Sequence, residues 1–314
     1  MIGMVPFNRK LDAKIVLVDD ELFMREIISN TLSTRGYRDV LCVSTLDPVR
    51  DIVATSYPDL LILNGEMEQG RAIDLVRQMR TFNLGRNPFM PAILTAWHPD
   101  SDFIGKVVES GADVLVTKPL AADQLFARID RLVNARPSFV ATATYIGPNR
   151  RNDRPDNGFP QFDVPNTLRE GIRGERTDPR KLEKRIAESA TKLKHQRKSM
   201  QDKEIGRHFA VFMELLRDGR SPKDAAFVLK SMTGLAETYG QDLSAVGNAE
   251  AAKPAMVLVR LLREIEAHAL NVSKSELDRV AGLLTELGIG IPRVRDWPPQ
   301  QNQNAGDQRL ESVN

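Results

Sequence analysis

The feature that most limits what this chain can become is an alternation, between Lys14 and Val133, of short unbroken apolar runs with amphipathic stretches. The runs are Ile15–Val18, Val40–Val43, Leu60–Leu63, Ala92–Leu94 and Val114–Val116. Each is too short for a helix and has no polar face. A strand apolar on both faces must be covered on both, as parallel strands are when crossover helices join them. The stretches between carry apolar residues at three-to-four spacing: Met24, Ile27, Ile28 and Leu32; Ile73, Val76 and Met79; Leu125, Ile129, Leu132 and Val133. The pattern predicts an α/β domain over 13–136, a five-stranded doubly wound parallel sheet. Cys42, inside the second run, reads as a buried strand residue. As the single cysteine it leaves no internal disulfide and no Cys-based zinc site.

With 314 residues there is material for a second core. Residues 137–179 read as a linker, because Pro148, Pro155, Pro160, Pro165 and Pro179 arrive among Gly, Asn, Asp and Arg. Within it Phe139, Val140, Tyr145 and Ile146 could lie as an extended strip on a domain surface. Residues 180–290 read as an all-α helical bundle. Its apolar stripes are Ile205, Phe209, Phe212 and Leu216; Ala225, Val228, Leu229, Met232 and Leu235; Leu258, Leu261, Leu262 and Ile265; and Leu277, Val280, Leu284 and Leu287. Ser221 and Ser273 stand as N-caps, and Gly240 and Gly288 as helix ends. Leu182, Ile186, Leu193 and Met200 approach heptad spacing, which makes a weak coiled coil, and a homodimer through the helical region, candidates. The tail 291–314, rich in Gln, Asn and Pro, is expected to be disordered.

Charge is informative through its distribution. The net value is only +2, while the stretch from Arg150 to Lys203 is clearly basic. No helix-turn-helix with a basic recognition helix can be read, so DNA is not an expected partner. The first residues lack the apolar core of a signal peptide, and no run is long enough to span a bilayer. The expected location is cytoplasmic, without membrane insertion.

In a doubly wound sheet, ligands bind beyond the carboxyl ends of the strands. Those ends carry Asp19, Asp20 and Glu21; Asn64; Thr95 and Ala96; and Thr117, Lys118 and Pro119. Adjacent carboxylates suit Mg²⁺, a hydroxyl can bind a phosphoryl oxygen, and a lysine can neutralise one. Phosphoryl transfer would also need a nucleophilic carboxylate at the end of strand three. Asn64, a neutral amide, stands there. Neither Asp59, which begins that strand, nor Glu66, two residues past the site, stands where an acceptor is needed.

Over residues 13 to 135 the chain resembles the receiver domains of two-component response regulators, in the CheY-like, flavodoxin-like form. The resemblance rests on VLVDDE (Val16 to Glu21), PDLLILNGEM (Pro58 to Met67), LTA (Leu94 to Ala96) and TKPL (Thr117 to Leu120), in order and at family-like spacing. It implies that Asp19 and Asp20 form the acidic pocket, that Asn64 replaces the phosphorylated aspartate, and that Thr95 and Lys118 are the phosphoryl-contacting partners. Leu115 stands where the family usually has a switch aromatic. With both the acceptor and the aromatic gone, a pseudo-receiver is expected: a phosphorylation-independent signalling adaptor, not an enzyme. No cofactor would be required, and Mg²⁺ would bind weakly, through Asp20 with the Asn64 amide oxygen. Expected partners are proteins, a histidine kinase or other signalling components. Such receivers commonly make contacts around the helix from Asp102 to Glu109 and the strand near Val114.

Two alternatives remain. His195, three residues before Lys198, faintly resembles a phosphotransfer histidine, so a helical-domain histidine, His195 or His208, could serve a phosphorelay. His208 and His268 lie beside apolar helical faces and read as packed residues. Arg150 and Arg154 have the RxxxR spacing of cyclic-dinucleotide binders of the PilZ type, without the second half of that motif, so a small-anion or nucleotide sensor is the other alternative.

Overall fold

The computed structural model describes residues 11–150, 158–219, 221–245, 249–268 and 272–292. It divides into two compact units, one up to Lys198 and one from Ser199. Arg154 and nearly all of the tail 291–314 lie outside the described residues.

The first unit is built on the expected sheet. Strands β1 (Leu11–Val18), β2 (Tyr37–Val43), β3 (Leu60–Asn64), β4 (Ala92–Ala96) and β5 (Val114–Thr117) are all parallel, in the order β2-β1-β3-β4-β5. Helices α1 (Leu22–Thr34), α2 (Asp47–Thr55), α3 (Arg71–Arg80), α4 (Ser101–Glu109) and α5 (Ala122–Asn134) connect them. Because side chains alternate along a strand, Val16, Val18, Leu61, Leu63, Ala92 and Leu94 pack under α2, α3 and α4. Ile15, Leu17, Leu60, Ile62, Ile93 and Val116 pack under α1 and α5. Both layers exclude water, which accounts for the unbroken apolar runs.

Strand β2 departs from the expectation. It is an edge strand with β1 as its neighbour, and Cys42 is exposed rather than buried. An apolar run at a sheet edge cannot tell from its own residues whether anything covers its outer side.

The expected boundary at Arg136 is also corrected, because 137–179 folds onto the first unit instead of linking it to the next. Strands β6 (Phe139–Ala141) and β7 (Ile146–Pro148) form an antiparallel hairpin, and Phe139 pairs further with Phe162. Helix α6 (Thr167–Arg173) lies across β1 so closely that a Cβ at Gly171 would collide with the Asp12 carbonyl. Leu182, Ile186 and Leu193, on the first half of α7 (Pro179–Asp218), close a small core with Phe89, Phe139, Ala141 and Ile146. The stripe expected to support a coiled coil is therefore used within the chain.

A buried charge cluster fastens this extension. Arg80, 1% exposed, donates to the Gly111 carbonyl (2.8 Å) and to Asp113 Oδ2 (3.0 Å), and Arg136 donates to Asp113 Oδ1 (2.7 Å) and the Phe89 carbonyl (2.7 Å). Both guanidinium groups lie over the Phe139 ring, at 5.5 and 5.0 Å. Burial lowers the Arg80 pKa to about 10, which leaves it charged at neutral pH. On the other side, Arg176 bridges Asp12 (2.7 Å) and the buried Asp59 (2.7 Å).

The second unit comprises the end of α7 with α8 (Pro222–Ala245), α9 (Ala249–Ala267) and α10 (Lys274–Glu286). Phe209, Phe212, Leu229, Met232, Leu258, Leu262, Val280 and Leu284 are buried in it, as their spacing predicts. Ser273 caps α10 in a capping box with Glu276, and Gly288 follows with φ of 72°. Gly240 does not end a helix. It lies buried inside α8, facing Ala255 of α9.

Candidate functional site

The carboxyl ends of β1, β3, β4 and β5 bring the expected residues together. Lys118 Nζ stands 2.8 Å from Asp19 Oδ2 and 3.7 Å from Glu21 Oε1, and the side chains of Asp19 and Lys118 are at most 1% exposed. Lys118 is held there by its backbone N–H, which donates to the Ala96 carbonyl (2.7 Å). A buried lysine and a buried aspartate are tolerable only together, since either alone would carry an uncompensated charge in a low-dielectric site.

Asn64, 4% exposed, ends β3 and turns its amide nitrogen to Asp20 Oδ1 at 2.9 Å. Its Oδ1 accepts from the Glu66 N–H at 3.2 Å. With an acceptor on one side and a donor on the other, these neighbours fix which way the amide faces. The atom presented to Asp20 is therefore nitrogen. A metal ion needs oxygen lone pairs, whereas the atom that faces Asp20 here is a donor. Asp19 is meanwhile engaged by Lys118 and by the Glu21 N–H (3.1 Å). The side chains present fit a tightly held Mg²⁺ poorly.

Thr95, 1% exposed, lines the pocket with a buried Oγ1 that has no hydrogen-bond partner. Leu115 is half-buried on β5 beside Leu94 and packs on the core under α4, so it belongs to the hydrophobic layer and not to the polar pocket.

The rim contains residues that the sequence reading did not single out. Trp97 donates from its indole Nε1 to Glu21 Oε1 (2.9 Å) and from its backbone to Glu66 Oε2 (3.1 Å), and Lys118 Nζ lies 5.6 Å from the Trp97 ring centre. Arg25 Nη1 donates to the carbonyls of Asp19 (2.6 Å) and Asp20 (3.1 Å). The signal for Trp97 was its place directly after the β4 run, at the carboxyl end where ligands bind.

The other candidates stand elsewhere. His195 is exposed on α7, and His208 is half-buried with Nδ1 2.7 Å from the Glu204 carbonyl. His268 is exposed near Glu276, at 4.0 Å. Arg150 donates to the Ala112 carbonyl, so its guanidinium helps to close the fold.

A doubly wound sheet with paired acids, a hydroxyl and a lysine at its carboxyl edge defines a receiver-type signalling domain. Residues 15–130 match the response regulator receiver domain family. Curated relatives include response regulator MprA of Mycobacterium tuberculosis, 30% identical over 39% of this chain and 51% of that protein. MprA of Mycobacterium sp. (strain KMS) is 26% identical over 53% and 66%. The chain thus spans about half the length of curated relatives it matches. Among solved structures, a receiver protein from Pseudoalteromonas atlantica is 18% identical over 38% of this chain and 96% of its own, with a TM-score of 0.34. Thermotoga maritima DrrB, described as an OmpR/PhoB homologue, is 24% identical over 38% and 52%, with a TM-score of 0.33.

These relatives correct one expectation. MprA is a response regulator of which this chain matches only about half, so the exclusion of DNA as a partner does not stand. The exclusion rested on finding no helix-turn-helix, and one absent motif does not rule out other ways of contacting phosphates. No helix among the described residues is long and apolar enough to cross a membrane.

Proposed function

We propose that this receiver works in two-component signalling as a phosphorylation-independent adaptor in the cytoplasm, without catalytic turnover. The observation that carries this reading is the Asn64 to Asp20 hydrogen bond, which occupies the acceptor position with an amide that donates to the neighbouring acid. Signalling then depends on surface recognition of a protein partner, such as a histidine kinase. Helix α4 supplies a suitable surface, with Ile104 and Val108 at 42% and 36% exposure. Neither histidine alternative is favoured by a specific contact, and Arg150 is engaged by backbone.

The test measures affinity for a partner kinase by titration, with and without a small-molecule phosphodonor. Affinity should be unchanged by the donor and fall at least tenfold in Ile104→Glu/Val108→Glu. Affinity that changes with the donor would remove the proposal.

A further inference from the structure

A glycine follows Asn64 directly, and that pair has a reactivity of its own. The peptide nitrogen of the residue after an asparagine can attack the side-chain carbonyl carbon, and glycine hinders the attack least because it carries no Cβ. Packing accounts for the glycine: a Cβ on Gly65 would lie 2.9 Å from Cζ of Phe103. The Gly65 nitrogen is thus left without a side chain beside it, next to the amide that fills the acceptor position.

In the closed site both reacting groups are restrained. The Gly65 N–H donates to the Thr95 carbonyl at 2.8 Å, one bond past the end of the β3 and β4 pairing. The Asn64 carboxamide is held by Asp20 at 2.9 Å and by the Glu66 N–H at 3.2 Å. This restraint leads straight into a strained loop, where Glu68 and Gln69 have φ of 49° and 57°, the left-handed region that side chains disfavour. Lifting of the segment 65–70 relaxes those two residues while it frees the Gly65 nitrogen, and such local openings cost less than global unfolding.

We propose that Asn64 is a deamidation site gated by this loop, and that the carboxylate so formed gives the receiver the phosphoryl acceptor its sequence lacks. The proposal rests on the reading that the amide is what blocks phosphorylation. Once freed, the Gly65 nitrogen gives its proton to solvent and bonds to Asn64 Cγ. The Cγ–Nδ2 bond breaks, Nδ2 takes up a proton and leaves as ammonia, and a cyclic imide remains. Water then splits the imide, at Cγ to leave aspartate or at the main-chain carbonyl to leave isoaspartate. Water enters and ammonia leaves, with no oxidation or reduction. Isoaspartate lengthens the backbone by a methylene at the end of β3, so only the aspartate fraction places a carboxylate beside Asp20 in an undistorted site.

The test incubates the full chain in mildly alkaline buffer, with and without denaturant, and follows position 64 by peptide mass, which rises when NH₂ is replaced by OH. Isoaspartyl methyltransferase separates the two products. Native conversion should be slower than in denaturant by about tenfold to a hundredfold, whereas global unfolding as the gate would slow it by about a thousandfold or more. Gln69→Gly, which relaxes the loop without opening it, should slow native conversion by about fivefold or more and leave the rate in denaturant unchanged. Gly65→Ala, compared in denaturant where folding does not matter, should slow the reaction by about tenfold because its Cβ hinders the attack. Phosphoryl uptake from a small-molecule phosphodonor with Mg²⁺ should be absent from fresh protein and rise in proportion to the aspartate fraction. Native conversion slowed a thousandfold, an unchanged rate in either variant, or uptake that stays absent as the aspartate fraction grows would overturn this inference alone. Uptake by fresh protein would overturn the adaptor reading with it.

Discussion

The amide nitrogen of Asn64 donates to Asp20 Oδ1 at 2.9 Å, so the acceptor position of the receiver holds a hydrogen-bond donor turned to the neighbouring acid. Asn64→Asp would replace the donor with a third carboxylate. Like charges at the strand ends disfavour each other's ionised form, so the variant should lose about 1–3 kcal/mol in metal-free buffer. Mg²⁺ should restore most of that loss by supplying the missing positive charge. Thermal unfolding with and without Mg²⁺ checks this, with the unsubstituted protein insensitive to the ion.

The Asp19 and Lys118 pair is the most buried part of the pocket. Lys118→Met keeps the bulk and removes the charge, leaving Asp19 unpaired, and should cost about 3–5 kcal/mol. Glu21→Gln, at the exposed end of the same cluster, should change stability by less than about 1 kcal/mol. Denaturant titration of the two variants separates a buried pair from a rim contact.

The extension from Arg136 to Lys198 should be indispensable to the first unit. A fragment ending at Arg136 loses Phe139 from Phe89 and the Arg176 partner of buried Asp59. Phe139→Ala in the full chain should cost about 3–5 kcal/mol. The truncated fragment should unfold at lower denaturant than a fragment ending at Lys198. Equal midpoints would show that the extension is only draped on the surface.

Alkaline pH should destabilise the protein through Tyr37. Burial, then the nearby Asp130 charge, pushes its phenol well above the ordinary value of 10.0. The unfolded chain releases this proton first, so the native state binds more protons above pH 10, and stability falls as pH rises through that range. The contribution is fully present below pH 10. Tyr37→Phe should flatten the decline, as measured by unfolding midpoints across a pH series.

Much of the receiver was legible because its determinants are local. The apolar runs of β1 and β3 are continuous since both faces are covered, and Asp19, Asn64, Thr95 and Lys118 follow strands whose ends converge by topology. What could not be read depends on contacts distant in sequence. Cys42 lies in an apolar run, yet sheet order places it at an edge. The segment from Phe139 to Pro179 has the composition of a linker, but Arg176 meets Asp12 and Asp59 across the fold, and no local pattern encodes that reach. The direction of the Asn64 amide was likewise hidden, because the Glu66 N–H and Asp20 set it only once β3 is in place.

The most direct measurement of the central claim is intact mass after treatment with a small-molecule phosphodonor and Mg²⁺, run on the protein and on Asn64→Asp in parallel. The account predicts that the protein gains no phosphoryl mass while the variant does, which would place the block at Asn64 in an otherwise competent pocket. A phosphoryl group on the unsubstituted protein would contradict it.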